Sequence, residues 1–220
     1  QTLRASVDWS HSLLTAAEAV LFRRLAVFTG GFDLDAAVAV CGGGGDVERY
    51  QVLDQLTLLV DKSLVQADNT SEHTRYRMLE TIRHYALEKL GESGEADTIR
   101  TAHRAYYAEL AAQLDIPGRA NFRTLVEQAE ADMDNLRAAF TWSQDRGELT
   151  RALQLASALQ PIWKGRGQLC EGLAWYDAIL DDDDISPAAI GQPVWTRAMA
   201  DKAVLDSIIS VDSADRADVA

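Results

Sequence analysis

Residues 75–90 read RYRMLETIRHYALEKL, and two periodicities meet inside them. Tyr76 and Met78 alternate with Arg75 and Arg77, the period of two expected of a strand with one buried face. From Thr81 onward Ile82, Tyr85, Ala86 and Leu90 recur at helical spacing, so a strand passes directly into a helix. What precedes decides which kind of strand this is. Residues 63–67 form a second short apolar run, separated from 75–78 by the polar stretch Asp68, Asn69, Thr70, Ser71 and Glu72. Two short strands around a polar turn predict a hairpin.

Upstream the pattern is helical. Leu3, Val7, Leu14, Val20, Leu21, Leu25 and Phe28 give apolar stripes over 2–28. Thr15 and Glu18 form an S/T-x-x-E capping box that starts a new helix inside that span. Thr29, Gly30 and Gly31 stop it, and Asp33 is placed to cap a short helix over 34–41 that ends at the glycine run 42–45. Val52, Leu53, Leu56, Leu59 and Val60 predict a helix over 48–61. Three helices followed by a hairpin make a winged-helix arrangement, and residues 1–92 are assigned to it.

Downstream, helix follows helix. Ile99, Ala102, His103, Tyr106, Tyr107, Leu110, Ala111 and Leu114 keep the i, i+3, i+4, i+7 rule until Pro117 and Gly118 break it. Phe122, Leu125, Val126, Ala129, Met133, Leu136 and Phe140 predict the next helix. Leu149, Ala152, Leu153, Ala156, Leu159 and Trp163 predict the one after. A helix-pair repeat template of about 34 residues fits 153–186 in part. Gly167 takes its turn, Gly172 the small position where two helices touch, and Tyr176 the large aromatic position. The predicted fold class is therefore mainly α: a winged-helix domain of helices plus a two-stranded β-hairpin, then a TPR-like α-helical array over 93–220.

The chain has 220 residues, 47% of them hydrophobic, enough for a substantial core. Its formal charge of −13 repels phosphate backbones unless a strong basic patch offsets it. The third predicted helix offers Leu56, Leu58, Leu59 and Val60 at its middle, which cannot bond base edges. Asp54 and Asp61 stand there against Arg49 and Lys62, and Arg75, Arg77 and Arg83 form the only basic cluster. No apolar run approaches the roughly 18–20 residues of a membrane helix, so no membrane partner is expected. Cys41 and Cys170 are isolated thiols, which suits a reduced, cytoplasmic setting. The chain starts inside a predicted helix and closes on DSADRADVA, so a piece of a longer protein is expected.

Motifs for chemistry are few. The glycine run 42–45 lacks the Lys-Ser/Thr of a phosphate loop, and Asp46 follows where positive charge is wanted. The acidic run 181–184 lacks the spaced glycine and later bidentate acid of a calcium loop and reads as a solvated turn. Glu80 and His84, one turn apart, read as a helix-surface pair. His11, His73 and His103 are scattered without metal-ligand spacing. No catalytic residue, metal ligand or cofactor site is nominated, and the segment is not expected to be an enzyme.

The stretches VDWSHSLLTAAEAVLFRRLAVFTGGFDLDAA (7–37), LLVDKSLV (58–65) and RYRMLETIRHYALEKL together resemble a known segment. It is the winged helix that follows the nucleotide-binding domain in STAND-class (NB-ARC-like) signalling ATPases. The resemblance is greatest to actinobacterial, especially mycobacterial, transcriptional regulators of the LuxR type. It extends over about 1–180 and is specific over 1–90. It implies a coupling arm that relays nucleotide or effector state to a DNA-binding output domain elsewhere. ATP or ADP is implied for the full-length protein, some of whose relatives carry a cyclase-like domain, and no cofactor for this segment. The implied partners are the protein's own nucleotide-binding and output domains and a protein or small-molecule effector on the array, with DNA reached only through other domains. A Met-His-Asp nucleotide-sensor motif of that family matches Met78, Leu79 and Glu80, with leucine replacing the histidine. The alternative reading is a stand-alone winged-helix DNA-binding regulator with a helical dimerisation or ligand-sensing region.

Overall fold

The computed structural model describes residues 3–42, 49–69, 74–116, 118–165 and 167–218. The chain is mainly α and divides into two compact units, one of residues 1–107 with 132–139, the other of 108–131 with 140–220.

The first unit opens with α1 (Leu3–Ser12) and α2 (Ala16–Leu25). The capping box predicted for α2 forms: Thr15 Oγ1 accepts from the Glu18 amide, and Glu18 accepts from the Thr15 amide at 2.7 Å. Asp33 caps α3 (Leu34–Cys41) as expected, accepting from the Ala36 amide at 2.7 Å. Next comes α4 (Arg49–Asp61), whose Val52, Leu56 and Leu59 are buried. The glycines 43–45 and Asp46 lie outside the described residues, as do 70–72 of the polar turn and His73.

The wing corrects the sequence reading in two ways. The sheet has three strands, not two: β1 (Gly31–Phe32), β2 (Gln66–Asp68) and β3 (Arg75–Arg77), antiparallel in the order β1-β3-β2. Phe32 and Ala67 flank Tyr76 in register, and the Phe32 ring stacks on Tyr76. Two residues are too short to show a period, so β1 could not be read from its own sequence. The strand expected over 63–67 also starts later, at Gln66. Ser63 sits at φ 57°, the Ser63 amide donates to Val60 O, and the Leu64 amide donates to Leu59 O. This is a Schellman closure of α4, with serine where glycine is usual, and it takes the amides a ladder would have used.

The alternation in β3 holds, with Tyr76 and Met78 buried and Arg77 exposed. The helix α5 (Glu80–Ser93) runs past Gly91, and Gly94 in the left-handed conformation, φ 75°, ends it. Tyr85 packs on His11 of α1 and Phe22 of α2. The helix α6 (Ala96–Ala112) buries Ile99, His103 and Tyr107 in the first unit.

The second unit takes in a 3₁₀ turn (Gln113–Asp115), α7 (Phe122–Ala131) and the end of α8 (Met133–Asp145), whose residues 133–139 belong to the first unit. The single helix expected over 122–140 is thus two, parted at Asp132. The helix expected over 149–163 is parted as well, into α9 (Leu149–Ala158) and α10 (Gln160–Gly165). Pro161 explains this second break: it has no amide to donate, and its ring would strike the carbonyl four residues back. Then come α11 (Leu169–Leu180), the short α12 (Pro187–Ile190) and α13 (Gln192–Asp218). The core here is aromatic, with Phe140 stacked on Trp175 at 4.1 Å and Trp163 edge-on to Trp175.

Gly172 occupies a close approach, as its template position requires. A Cβ there would lie 2.8 Å from both Trp163 Cγ and Leu205 Cδ1. Leu205 can rotate, but the Trp163 ring is held by its Nε1 donating to Ala156 O at 3.0 Å. Gly172→Ala should therefore lower stability by about 1–3 kcal/mol despite its better helix propensity, read from urea unfolding. A neutral or stabilising result would mean that the helices part freely at this point.

Candidate functional site

The third helix of a winged helix is where a nucleic-acid reader would place its side chains. On α4 the side chains turned from the core are Tyr50, Leu53, Asp54, Thr57, Leu58 and Asp61. Tyr50, Leu53 and Leu58 are 61%, 39% and 44% exposed, a high value for large apolar groups on one helix. The two cations at its ends are engaged: Arg49 with Asp35, and Lys62 with the buried Glu18. That contact with Lys62 and the cap from Thr15 hold the Glu18 carboxyl below its ordinary range against the cost of burial.

The wing arginines divide by partner. Arg83 clamps Glu80 through two nitrogens at 2.7 and 2.9 Å and donates to Ala26 O. Arg75 is committed to the buried Asp132 at 2.7 Å. Arg77 is exposed and donates to the Gln66 side chain at 2.9 Å, and among the described residues no carboxylate pairs with its outward charge.

Met78 is buried, whereas Leu79 is 47% exposed at the start of α5 and Glu80 is exposed beside it. The structure thus buries the first of these three neighbours and exposes the other two. The Arg83 guanidinium holds the Glu80 carboxyl below its ordinary range. His84 Nδ1 lies 3.1 Å from Glu80 O and 3.5 Å from its carboxylate, an exposed pair on the helix surface. His11 packs between rings, and among the described residues no group of histidines, cysteines and carboxylates could hold a metal ion. In the acidic run, Asp181 accepts from Lys202 at 2.7 Å.

One connected polar cluster, Asn135 with His103, Asp132 and Arg75, is not assembled by sequence reasoning. Asn135 on α8 is fully buried and grips the loop between α2 and α3 at both ends. Its Oδ1 accepts from the Thr29 amide, and its Nδ2 donates to Gly31 O, each at 2.8 Å. These bonds fix the amide's orientation, so the neighbouring His103 Nε2, 3.2 Å from Oδ1, acts as the donor. Nδ2 also reaches Asp132 Oδ1 at 3.4 Å, which links the cluster to Arg75 on β3. Burial lowers the His103 pKa to about 4, against the opposing effect of Asn135. Burial pushes the Asp132 carboxyl up, and Arg75 pulls it back. The available signals were a histidine inside the apolar stripe of α6 and two polar residues, 132 and 135, beside that of α8.

Residues 13–91 match the family model of a winged helix-turn-helix domain. The domain is a winged helix. Across its whole length the chain is 56% identical to a protein of Mycobacterium tuberculosis provisionally named as an HTH-type transcriptional regulator, with an equal match in Mycobacterium bovis. The chain spans about a quarter of the length of these relatives (25%). It is also 51% identical over 106 residues, 48% of its length, to an uncharacterised Mycobacterium tuberculosis protein, of which this covers 27%. No solved structure matches the chain. Among the described residues no helix is long and apolar enough to cross a membrane.

Proposed function

We propose that the chain is a segment of a multidomain transcriptional regulator and works there as a regulatory coupling arm. In this reading the regulator is of the STAND type, with LuxR-like output, and acts in the cytoplasm. ATP or ADP binding and DNA binding belong to other domains. The winged helix transmits state through two packings that nucleotide or effector stabilises differently. The observation that carries the reading is the outward face of α4, where apolar and acidic side chains stand where a reader needs donors and cations. The name of the mycobacterial relatives supports the transcriptional role.

A second reading, a winged helix that itself binds DNA, is favoured by the domain match and by the outward charge of Arg77. A mobility-shift titration near physiological salt separates the two. The coupling arm predicts no discrete complex with mixed-sequence duplexes and no saturable heat with ATP or ADP and magnesium. A sequence-selective complex weakened by Arg77→Ala would replace the first reading with the second.

A further inference from the structure

The outward face of α4 has a composition that selects among partners. Its residues fall on one arc of the helix: Tyr50, Leu53, Thr57 and Leu58 supply apolar area, and Asp54 and Asp61 lie two turns apart along it. Among the described residues neither aspartate has an ion-pair partner, whereas Arg49 and Lys62 are held by Asp35 and Glu18. The opposite side of α4 is buried through Val52, Leu56 and Leu59, so the helix is anchored while this face stays open.

We propose that this face docks a cationic amphipathic helix of a partner protein. Apolar side chains of that helix cover Leu53 and Leu58, and Lys or Arg residues two turns apart meet Asp54 and Asp61. The proposal rests on the reading that α4 does not bind DNA, and names the chemistry of its partner. A duplex would bring phosphates against both aspartates, and a second copy of the chain would bring aspartate against aspartate. A basic helix turns the same charges into attraction and places the apolar area beneath its own stripe.

The probe is a synthetic amphipathic helical peptide with a leucine stripe and lysines two turns apart. Its twin has glutamates in the lysine positions, and a mixed-sequence duplex is the third titrant. Each is added to the whole chain while backbone amides are followed by NMR. The lysine peptide should give saturable shifts centred on residues 50–61, and the glutamate twin none. Asp54→Lys, Asp61→Lys, Leu53→Ser and Leu58→Ser, all at exposed positions, should each weaken binding by about tenfold. Leu79→Ser, at an exposed leucine elsewhere, should leave the affinity unchanged. Shifts scattered over the acidic surface and indifferent to Leu53 and Leu58 would reduce the effect to bulk charge attraction and overturn the proposal. Silence with every titrant would overturn the docking surface and leave the coupling arm standing. Duplex-induced shifts on 50–61 would overturn both.

Discussion

Between neutral pH and pH 4 the first unit should lose roughly 3 kcal/mol of stability through His103 alone. The folded state holds this imidazole neutral, with its pKa lowered to about 4 because the ring is buried against Phe28 and Tyr107. In the unfolded chain the same ring takes up a proton near its ordinary value of about 6.5. Below that value the unfolded state binds more protons, so the contribution is complete above about pH 6.5 and falls as pH drops toward 4. Asn135 does not prevent this, because its oxygen accepts from the ring in either protonation state. Urea unfolding of the native chain and of His103→Gln at a series of pH values isolates the effect. The difference between the two stability curves should narrow as the pH falls from 7 to 4. Parallel curves would mean that His103 is not a buried neutral group.

Asn135→Ala should cost about 3 kcal/mol, the second large effect. It removes one acceptor and one donor at once, leaving the Thr29 amide and Gly31 carbonyl without the partners they have at 2.8 Å. These two bonds are part-buried, and the buried His103 ring loses its acceptor as well. A fully buried polar group so orphaned costs about 1–3 kcal/mol, whereas a whole exposed ion pair contributes under about 1 kcal/mol. The comparison is available on the same helix. Arg137→Ala breaks the surface pair with Asp134 and should move the urea midpoint little. Equal effects of the two substitutions would show that water replaces the Asn135 bonds at no cost, and that the loop between α2 and α3 does not depend on them.

Much of the fold was legible because it is local. The change from period two to helical spacing at 75–90 marks where β3 ends and α5 begins, give or take a residue. Thr15, Glu18 and Asp33 act as caps because a cap is satisfied within three residues of its own position. Pro161 carried a break in plain view, yet the apolar stripe across 149–163 masked it. The apolar stripe of the third helix was equally legible, since Val52, Leu56 and Leu59 are its buried side.

The rest depends on residues far apart in the chain. Whether Gly31 and Phe32 form a strand depends on Arg77 and Tyr76 arriving beside them, which no window around residue 31 contains. The helix break at Asp132 likewise goes with a buried carboxylate whose cation, Arg75, lies 57 residues earlier. By itself the sequence determined the helices of the winged-helix region, the caps of α2 and α3 and their apolar and charged faces, since these follow from spacing and from short-range hydrogen bonds. Only the tertiary structure decided that Asn135, His103, Asp132 and Arg75 form one buried cluster, and which arginine of the wing keeps an outward charge. The physical reason is that a polar side chain is specified by what it meets when water is removed, and those partners are gathered by folding, not by sequence distance.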